Sequence, residues 1–258
     1  METQHKHRSY EQLLLRLLSF VLVFGVWELA GRKPISVAFP TFTATLAAFV
    51  RLILDGTMLK AFGTTLVPLV IGISLVGIIG VLFGILMGLY RTFEWFTLPV
   101  FVIIQSAPMA ALIPLITFLY GIGLGAKVLA VVLMAAPVIV LNSYKGIRNA
   151  NPTLIQMGTS FLADERQRIF KIIIPDASGM IFAGLRLGVS SGFIGVILAE
   201  LLITPTGIGD LITYYRALAL YPEMFASIVA IVAFAAIVVG SLQRLEGVLF
   251  PRERKTAG

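Results

Sequence analysis

A chain of 258 residues that is 58% hydrophobic and only 13% charged, with a mean hydropathy of +0.97, is too apolar for a soluble domain, where about a quarter of residues carry charge. The absence of cysteine excludes a disulfide framework and any thiolate metal site. The net charge of +7 is read as the Lys/Arg bias of cytoplasmic loops and not as nucleic-acid binding, because no basic patch interleaved with aromatics occurs.

Residues 1–12 are polar and basic and are expected to be poorly ordered on the cytoplasmic side. His5 and His7 lie in this tail and read as solvated. They are the chain's 2 histidines, so a two-His metal site within the membrane is excluded. Leu13 to Ala30 is the first span, with Arg16 and Glu28 near its ends, where they can snorkel to water. The following VWELAGRK is a poor match to a cleavage site, so the span is expected to be retained. Pro40 to Asp55 begins with Pro-Thr and puts Phe42, Leu46, Phe49, Val50, Ile53 and Leu54 on one face, opposite Arg51 and Asp55. That pattern suits a helix lying on the membrane.

Leu66 to Tyr90 is the second span, and Gly80, Gly84 and Gly88 leave one side of it almost bare backbone, which permits close helix approach. Trp95 to Tyr120 is a third, interrupted by Pro99, Pro108 and Pro114. Proline frees backbone carbonyls that survive in lipid only when covered by protein or facing a water-filled path. Gln105, Ser106 and Pro108 are therefore candidates for lining a pathway, with polar helix–helix contact the alternative. The turn GIGLGAKV resembles a phosphate loop but has Ala126 where the second glycine belongs and Val128 where Ser or Thr belongs. No other nucleotide site is visible, so any ATP is expected to be hydrolysed by another chain.

Lys127 to Asn142 is the fourth span, with Pro137 inside it. Asn151 to Pro175 is the one long polar interruption, basic and helix-forming, and reads as a docking surface. Met180 to Ile203 is a fifth span carrying Gly184, Gly188 and Gly192, a second small-residue ladder. Arg186 and Glu200 fall near its opposite ends. Glu200 is a candidate either for contact with a solute or gate or for an interhelical hydrogen bond; Ser190 and Ser191 join the candidate pathway set. Thr204 to Pro222 is too polar and broken to span, Phe225 to Leu242 is the sixth span, and Arg244, Arg252, Arg254 and Lys255 close the chain. With the N terminus inside, most of the 20 Lys and Arg fall on the inner side. The expectation is an all-α integral membrane protein of six transmembrane helices with both termini cytoplasmic.

At this point the chain resembles the permease subunits of bacterial ATP-binding-cassette (ABC) importers of the binding-protein-dependent type, within them the nitrate/sulfonate/taurine branch. Their cytoplasmic loop carries Glu-Ala-Ala, three residues, Gly, nine residues, Ile, one residue and Leu-Pro. Ile172, Ile174 and Pro175 set the register, which puts Leu162 at the glycine position and Gln156, Met157 and Gly158 at Glu-Ala-Ala. Ala163 and Asp164 offer the bend that the missing glycine would give, and Asp164 and Glu165 carry charge for the dock. Similar to the branch are also FPTFTATLAAFVRLILDG, PMAALIPLITFLYGIG, AGLRLGVSSGFIGVILAELL, GIGDLI and LQRLEGVLFP, in the expected order.

The resemblance implies the type I ABC importer permease fold: residues 1–57 as tail, first helix and interfacial helix, 58–243 as a transmembrane core with its coupling loop at 151–175, and 244–258 as a cytoplasmic tail. It implies a permease, not an enzyme, in the bacterial inner membrane, with no cofactor of its own and no nucleic-acid partner. Its partners would be two ATPase subunits that use ATP and Mg, a second permease copy, membrane lipid, and a periplasmic or lipid-anchored binding protein. Small anions such as a sulfonate, taurine or nitrate are the implied solutes, with an aromatic acid, bicarbonate or a pyrimidine vitamin precursor as the alternative. Two rivals from other classes are weaker. A membrane-embedded enzyme needs converging nucleophile, base or metal ligands, which are missing, and an ion-coupled secondary transporter usually shows internal repeats and mid-membrane charges.

Overall fold

The computed structural model describes residues 2–33, 36, 38–203 and 205–250. Every regular element among them is a helix: α1 (Glu2–Arg32), α2 (Phe42–Leu54), α3 (Thr57–Leu89), α4 (Arg91–Ser106), α5 (Met109–Tyr120), α6 (Leu124–Arg148), α7 (Pro152–Ser160), α8 (Glu165–Arg168), a π turn (Ile169–Ile173), α9 (Ile174–Leu202), α10 (Ile208–Ala217) and α11 (Tyr221–Leu249). Among the described residues α3, α6, the continuous stretch Glu165–Leu202 and α11 are each long and apolar enough to cross a bilayer, and the bent pair α4–α5 passes the same test only when its halves are taken together, which gives four or five such spans against the six expected. The apolar run of the expected first span lies within α1.

The differences from expectation lie at the ends of these elements. α1 starts at Glu2, so the segment expected to be poorly ordered continues the helix; its sequence holds no Gly or Pro to stop it. α3 starts at Thr57 and not near Leu66, directly after Gly56 at φ +76°. The third span is two helices that meet at 104°, broken where Pro108 lacks an amide proton and serves as N-cap of α5. Arg252, Arg254 and Lys255 fall outside the described residues.

The chain divides into two compact units. The first comprises residues up to 60 with 211–230. In it the Trp27 ring meets Phe39, Phe42 and Phe225, and its Nε1 donates to the Pro40 carbonyl at 3.1 Å. The Glu28 carboxylate accepts from the Thr43 amide at 3.0 Å and from Arg32 at 2.8 Å, and Arg51 pairs with Glu223 at 2.7 Å. Thr41 caps α2, as the Pro-Thr start suggested. α2 buries Thr45, Ala48 and Leu52, whereas Leu46, Val50, Ile53 and Leu54 of the expected apolar face remain uncovered by protein. This is the arrangement of a helix whose apolar side is solvated by lipid.

The second unit comprises 61–210 with residues from 231 on, and α6 lies at its centre, touched on two sides by glycine-bearing helices. On α3, a Cβ added at Gly84 would stand 2.5 Å from the Ser143 side chain, and one at Gly88 would strike Ile147. On α9, a Cβ at Gly184 would stand 2.7 Å from Asn142 Cβ, one at Gly188 would strike Ile139, and one at Gly195 would reach the Ala130 carbonyl at 2.7 Å. Both ladders thus land largely on α6, whose Ala135, Ile139 and Val140 are buried. Lipid is as apolar as these side chains, so close backbone approach and dispersion, not hydrophobic burial, hold the three helices. Gly84→Leu or Gly188→Leu is expected to overpack the contact at a cost of about 1–3 kcal/mol. Gly63→Ala, in α3 with nothing within 4 Å, should leave stability unchanged or raise it. Thermal denaturation of the three variants in detergent checks the contrast.

Candidate functional site

The 151–175 segment is two short helices and a turn. Asn151 starts α7 by accepting from the Thr153 amide at 2.9 Å, and its own amide donates to Asp176 at 2.8 Å, which fastens the loop to the first turn of α9. α7 ends in a paired capping arrangement: the Leu162 amide donates to the Thr159 carbonyl at 3.0 Å and the Ala163 amide to the Gly158 carbonyl at 3.0 Å. This motif requires a left-handed residue at its turn, normally glycine. Leu162 takes that conformation at φ 56°. The bend therefore sits at the expected glycine position itself, and not at Ala163–Asp164. The Leu162 side chain, 92% exposed, stands beside Phe161, 78% exposed.

Asp164 then caps α8 reciprocally: its carboxylate accepts from the Gln167 amide at 2.6 Å while the Gln167 side chain accepts from the Asp164 amide at 3.1 Å. Gly158 is buried because Ile172 of the π turn lies on it, which brings together two of the sequence-matched positions. Gln156, Met157 and Glu165 face outward. Ile174 and Pro175 open α9 with no break in the helix, so α8, the π turn and α9 form one 38-residue rod.

Of the candidate pathway residues, Gln105, Ser106 and Pro108 are exposed at the α4–α5 break, where Ser106 Oγ donates to the Val102 carbonyl at 2.9 Å. Ser190 and Ser191 are half-buried on α9. Glu200 is 2% exposed and lies apart from them in a polar knot with residues that sequence reasoning did not single out. Lys127 Nζ donates to Glu200 Oε1 at 2.7 Å, to Thr206 Oγ1 at 2.9 Å and to the Thr206 carbonyl at 3.1 Å. Thr65 Oγ1 lies 2.9 Å from Glu200 Oε2 and accepts from the Ile208 amide at 3.0 Å, and the Gly209 amide donates to Glu200 Oε2 at 3.0 Å. The first helical turn of α6, the last of α9 and the third of α3 meet here, at the end of the unit away from α7 and α8. Removing one partner from such a buried pair costs about 3–5 kcal/mol. The signal was a lysine opening one apolar run and a glutamate closing another at matching depth.

Two further ion pairs link helices of this unit: Arg186 with Glu246 at 2.7 Å, and Glu94, which accepts from Tyr144 Oη at 2.5 Å with Arg148 at 3.9 Å. No cluster of three or more His, Cys, Asp or Glu able to hold a metal occurs among the described residues.

Residues 80–255, which contain the bent loop, match the family model described as binding-protein-dependent transport system inner membrane component. The chain belongs to that family. This transport component is similar to a Bacillus subtilis permease named for aliphatic sulfonates transport, SsuC, at 26% identity over 83% of this chain and 78% of that protein. It is similar to the formylaminopyrimidine transport permease protein ThiX of Halalkalibacterium halodurans at 27% identity, over 96% of this chain and 99% of that one. The taurine transport system permease protein TauC of Escherichia coli is 24% identical over 77% and 72%. Among solved structures, the inward-facing MetNI methionine ABC transporter superposes with a TM-score of 0.62 at 18% identity, covering 74% of this chain and 95% of that one. An amino acid ABC transporter gives 0.62 at 15% identity, covering 80% and 98%. The fold is that of the type I ABC importer permeases, and this family member is a multi-pass inner-membrane translocation subunit.

A leucine held left-handed stores about 1 kcal/mol of backbone strain that glycine relieves. Leu162→Gly in this permease is expected to slow proteolysis of the 151–175 loop or leave it unchanged. Leu162→Pro, whose ring forbids positive φ, should speed it severalfold, as read by limited proteolysis in detergent.

Proposed function

We propose that this chain is the transmembrane half of an ATP-driven importer for a small organic or inorganic anion, in the class of sulfonates, taurine and nitrate. The observation that carries the reading is the α7–α8 loop. Its backbone is left-handed at the position where the resembling permeases have glycine, and its small Gly158 is covered by Ile172. Family membership supports it, as do the names of the SsuC and TauC relatives. The ThiX relative supports the alternative solute, a pyrimidine vitamin precursor. Selectivity would reside mainly in a binding protein outside the membrane.

In this reading two ATPase subunits, which bind the ATP and Mg, sit beneath two copies of the chain, and both termini are cytoplasmic. Each ATPase grips the tip formed by Phe161 and Leu162 together with Gln156, Met157, Ala163, Asp164 and Glu165. Apolar side chains this exposed lose water when a socket closes on them, and the flanking charges give register. Closure of the ATPases around ATP then moves α8 and, through the unbroken rod, α9. Gln105, Ser106, Pro108, Ser190 and Ser191 are the candidates that line the path the solute takes, opened and closed by tilting of the glycine-packed helices.

The test uses the complete complex in proteoliposomes. Phe161→Glu with Glu165→Lys, which leaves the Asp164–Gln167 cap intact, should lower ATP-driven uptake by about tenfold or more, the loss of one well-formed contact. Membrane insertion should be unchanged. Unimpaired uptake in that variant would overturn the docking assignment.

A further inference from the structure

We propose that Lys127 and Glu200 are positioning residues that fasten the outer segment Thr206–Gly209 to the rod α8–α9, so that a push on the rod's inner end is delivered to the outer mouth. The proposal rests on the importer reading above and adds to it the place where the stroke ends.

The Lys127 ammonium has no proton left for a solute. All three protons of the Lys127 ammonium are engaged, by Glu200 Oε1, Thr206 Oγ1 and the Thr206 carbonyl. The carboxylate in turn accepts from Lys127 and the Gly209 amide, with Thr65 Oγ1 2.9 Å from its Oε2. A closed network of this kind rigidifies what it joins. Thr65 Oγ1 also accepts from the Ile208 amide at 3.0 Å and lies 3.1 Å from the Ala61 carbonyl.

The segment is shaped to wrap the carboxylate. Gly207 stands at φ +94°, and a Cβ added there would strike the Glu200 carboxylate; a Cβ at Gly209 would strike Glu200 Cβ. The backbone therefore lies directly on the side chain, held by Glu200 at the last turn of α9.

The other end of that helix is the coupling segment. From Glu165 to Leu202 the chain is helical without interruption, and the π turn at Ile169–Ile173 is a local change of winding inside it, not a hinge of loop residues. Gly184, Gly188 and Gly195 seat the rod on α6 along its length. Lys127, at the start of α6, adds a tie of fixed length and direction at the outer end. An apolar plug in the same place would hold the helices together but let the segment slide, whereas a hydrogen-bonded ion pair has one geometry.

The test again uses the reconstituted complex with its ATPase and binding protein. In Lys127→Met/Glu200→Met no charge is orphaned, so the complex should assemble and lose far less melting temperature than either single variant. Uptake should nonetheless fall about tenfold, the size of a typical coupling between sites. Gly207→Ala, which leaves both charges in place and only displaces the segment, should give the same loss; Lys127→Arg should restore most of the uptake. The chain has no cysteine, so a cysteine at exposed Pro205 is a clean reporter. Its reaction with a membrane-impermeant maleimide should change severalfold between nucleotide-free and vanadate-trapped complex, and the change should vanish in the double variant. Wild-type uptake in the double variant, or an undiminished labelling change, would overturn the tie and reduce the pair to a structural staple. Absence of ATP-driven uptake in the unmodified complex would instead overturn the importer reading itself.

Discussion

The close seat of α6 between α3 and α9 is the constraint on which the second unit depends. In lipid an apolar helix gains nothing by leaving the acyl chains for another apolar helix, so association needs backbones near enough for dense dispersion contact. Gly84, Gly88, Gly184, Gly188 and Gly195 provide that nearness, and each faces an α6 atom that leaves no room for a methyl group. Helices seated this tightly cannot flex independently and must move as a block or slide along the glycine faces.

The 151–175 loop is held by local chemistry alone. Asn151 and Asp176 close its base, the capping bonds of Leu162 and Ala163 turn it, and the Asp164–Gln167 pair restarts the helix. None of these contacts requires a second chain, so the tip is preorganised in the isolated subunit. The leucine at the turn is a strained choice, and it exposes an apolar side chain where glycine would expose none.

Much of this was legible in the sequence. The apolar runs marked the spans, the two glycine ladders marked the faces that meet α6, and counting back from Ile172 and Pro175 put Leu162 at the glycine position, although the bend was expected at Ala163–Asp164 because a leucine rarely turns left-handed. Pro108 showed that the third span is broken, although a proline tells where a helix ends and not the angle at which the next one leaves. The face of α2 was read correctly as apolar, yet the residues it buries are Thr45, Ala48 and Leu52 beside that face, because most of its large side chains face lipid and a burial argument made for water does not apply there. The Lys127–Glu200 pair escaped because its members lie 73 residues apart, and each on its own looks like a charge near a helix end that snorkels to water. Only the packing of α6 on α9 turns those two ends toward each other.

The most direct test of the central claim is native mass spectrometry of the complex purified in gentle detergent from its own host, paired with ATP hydrolysis by the same sample. Two copies of this chain with two ATPase subunits, and hydrolysis stimulated by the loaded binding protein, is the result predicted. A lone oligomer that carries no ATPase even after crosslinking would contradict the account, because the 151–175 loop would then have no motor to receive.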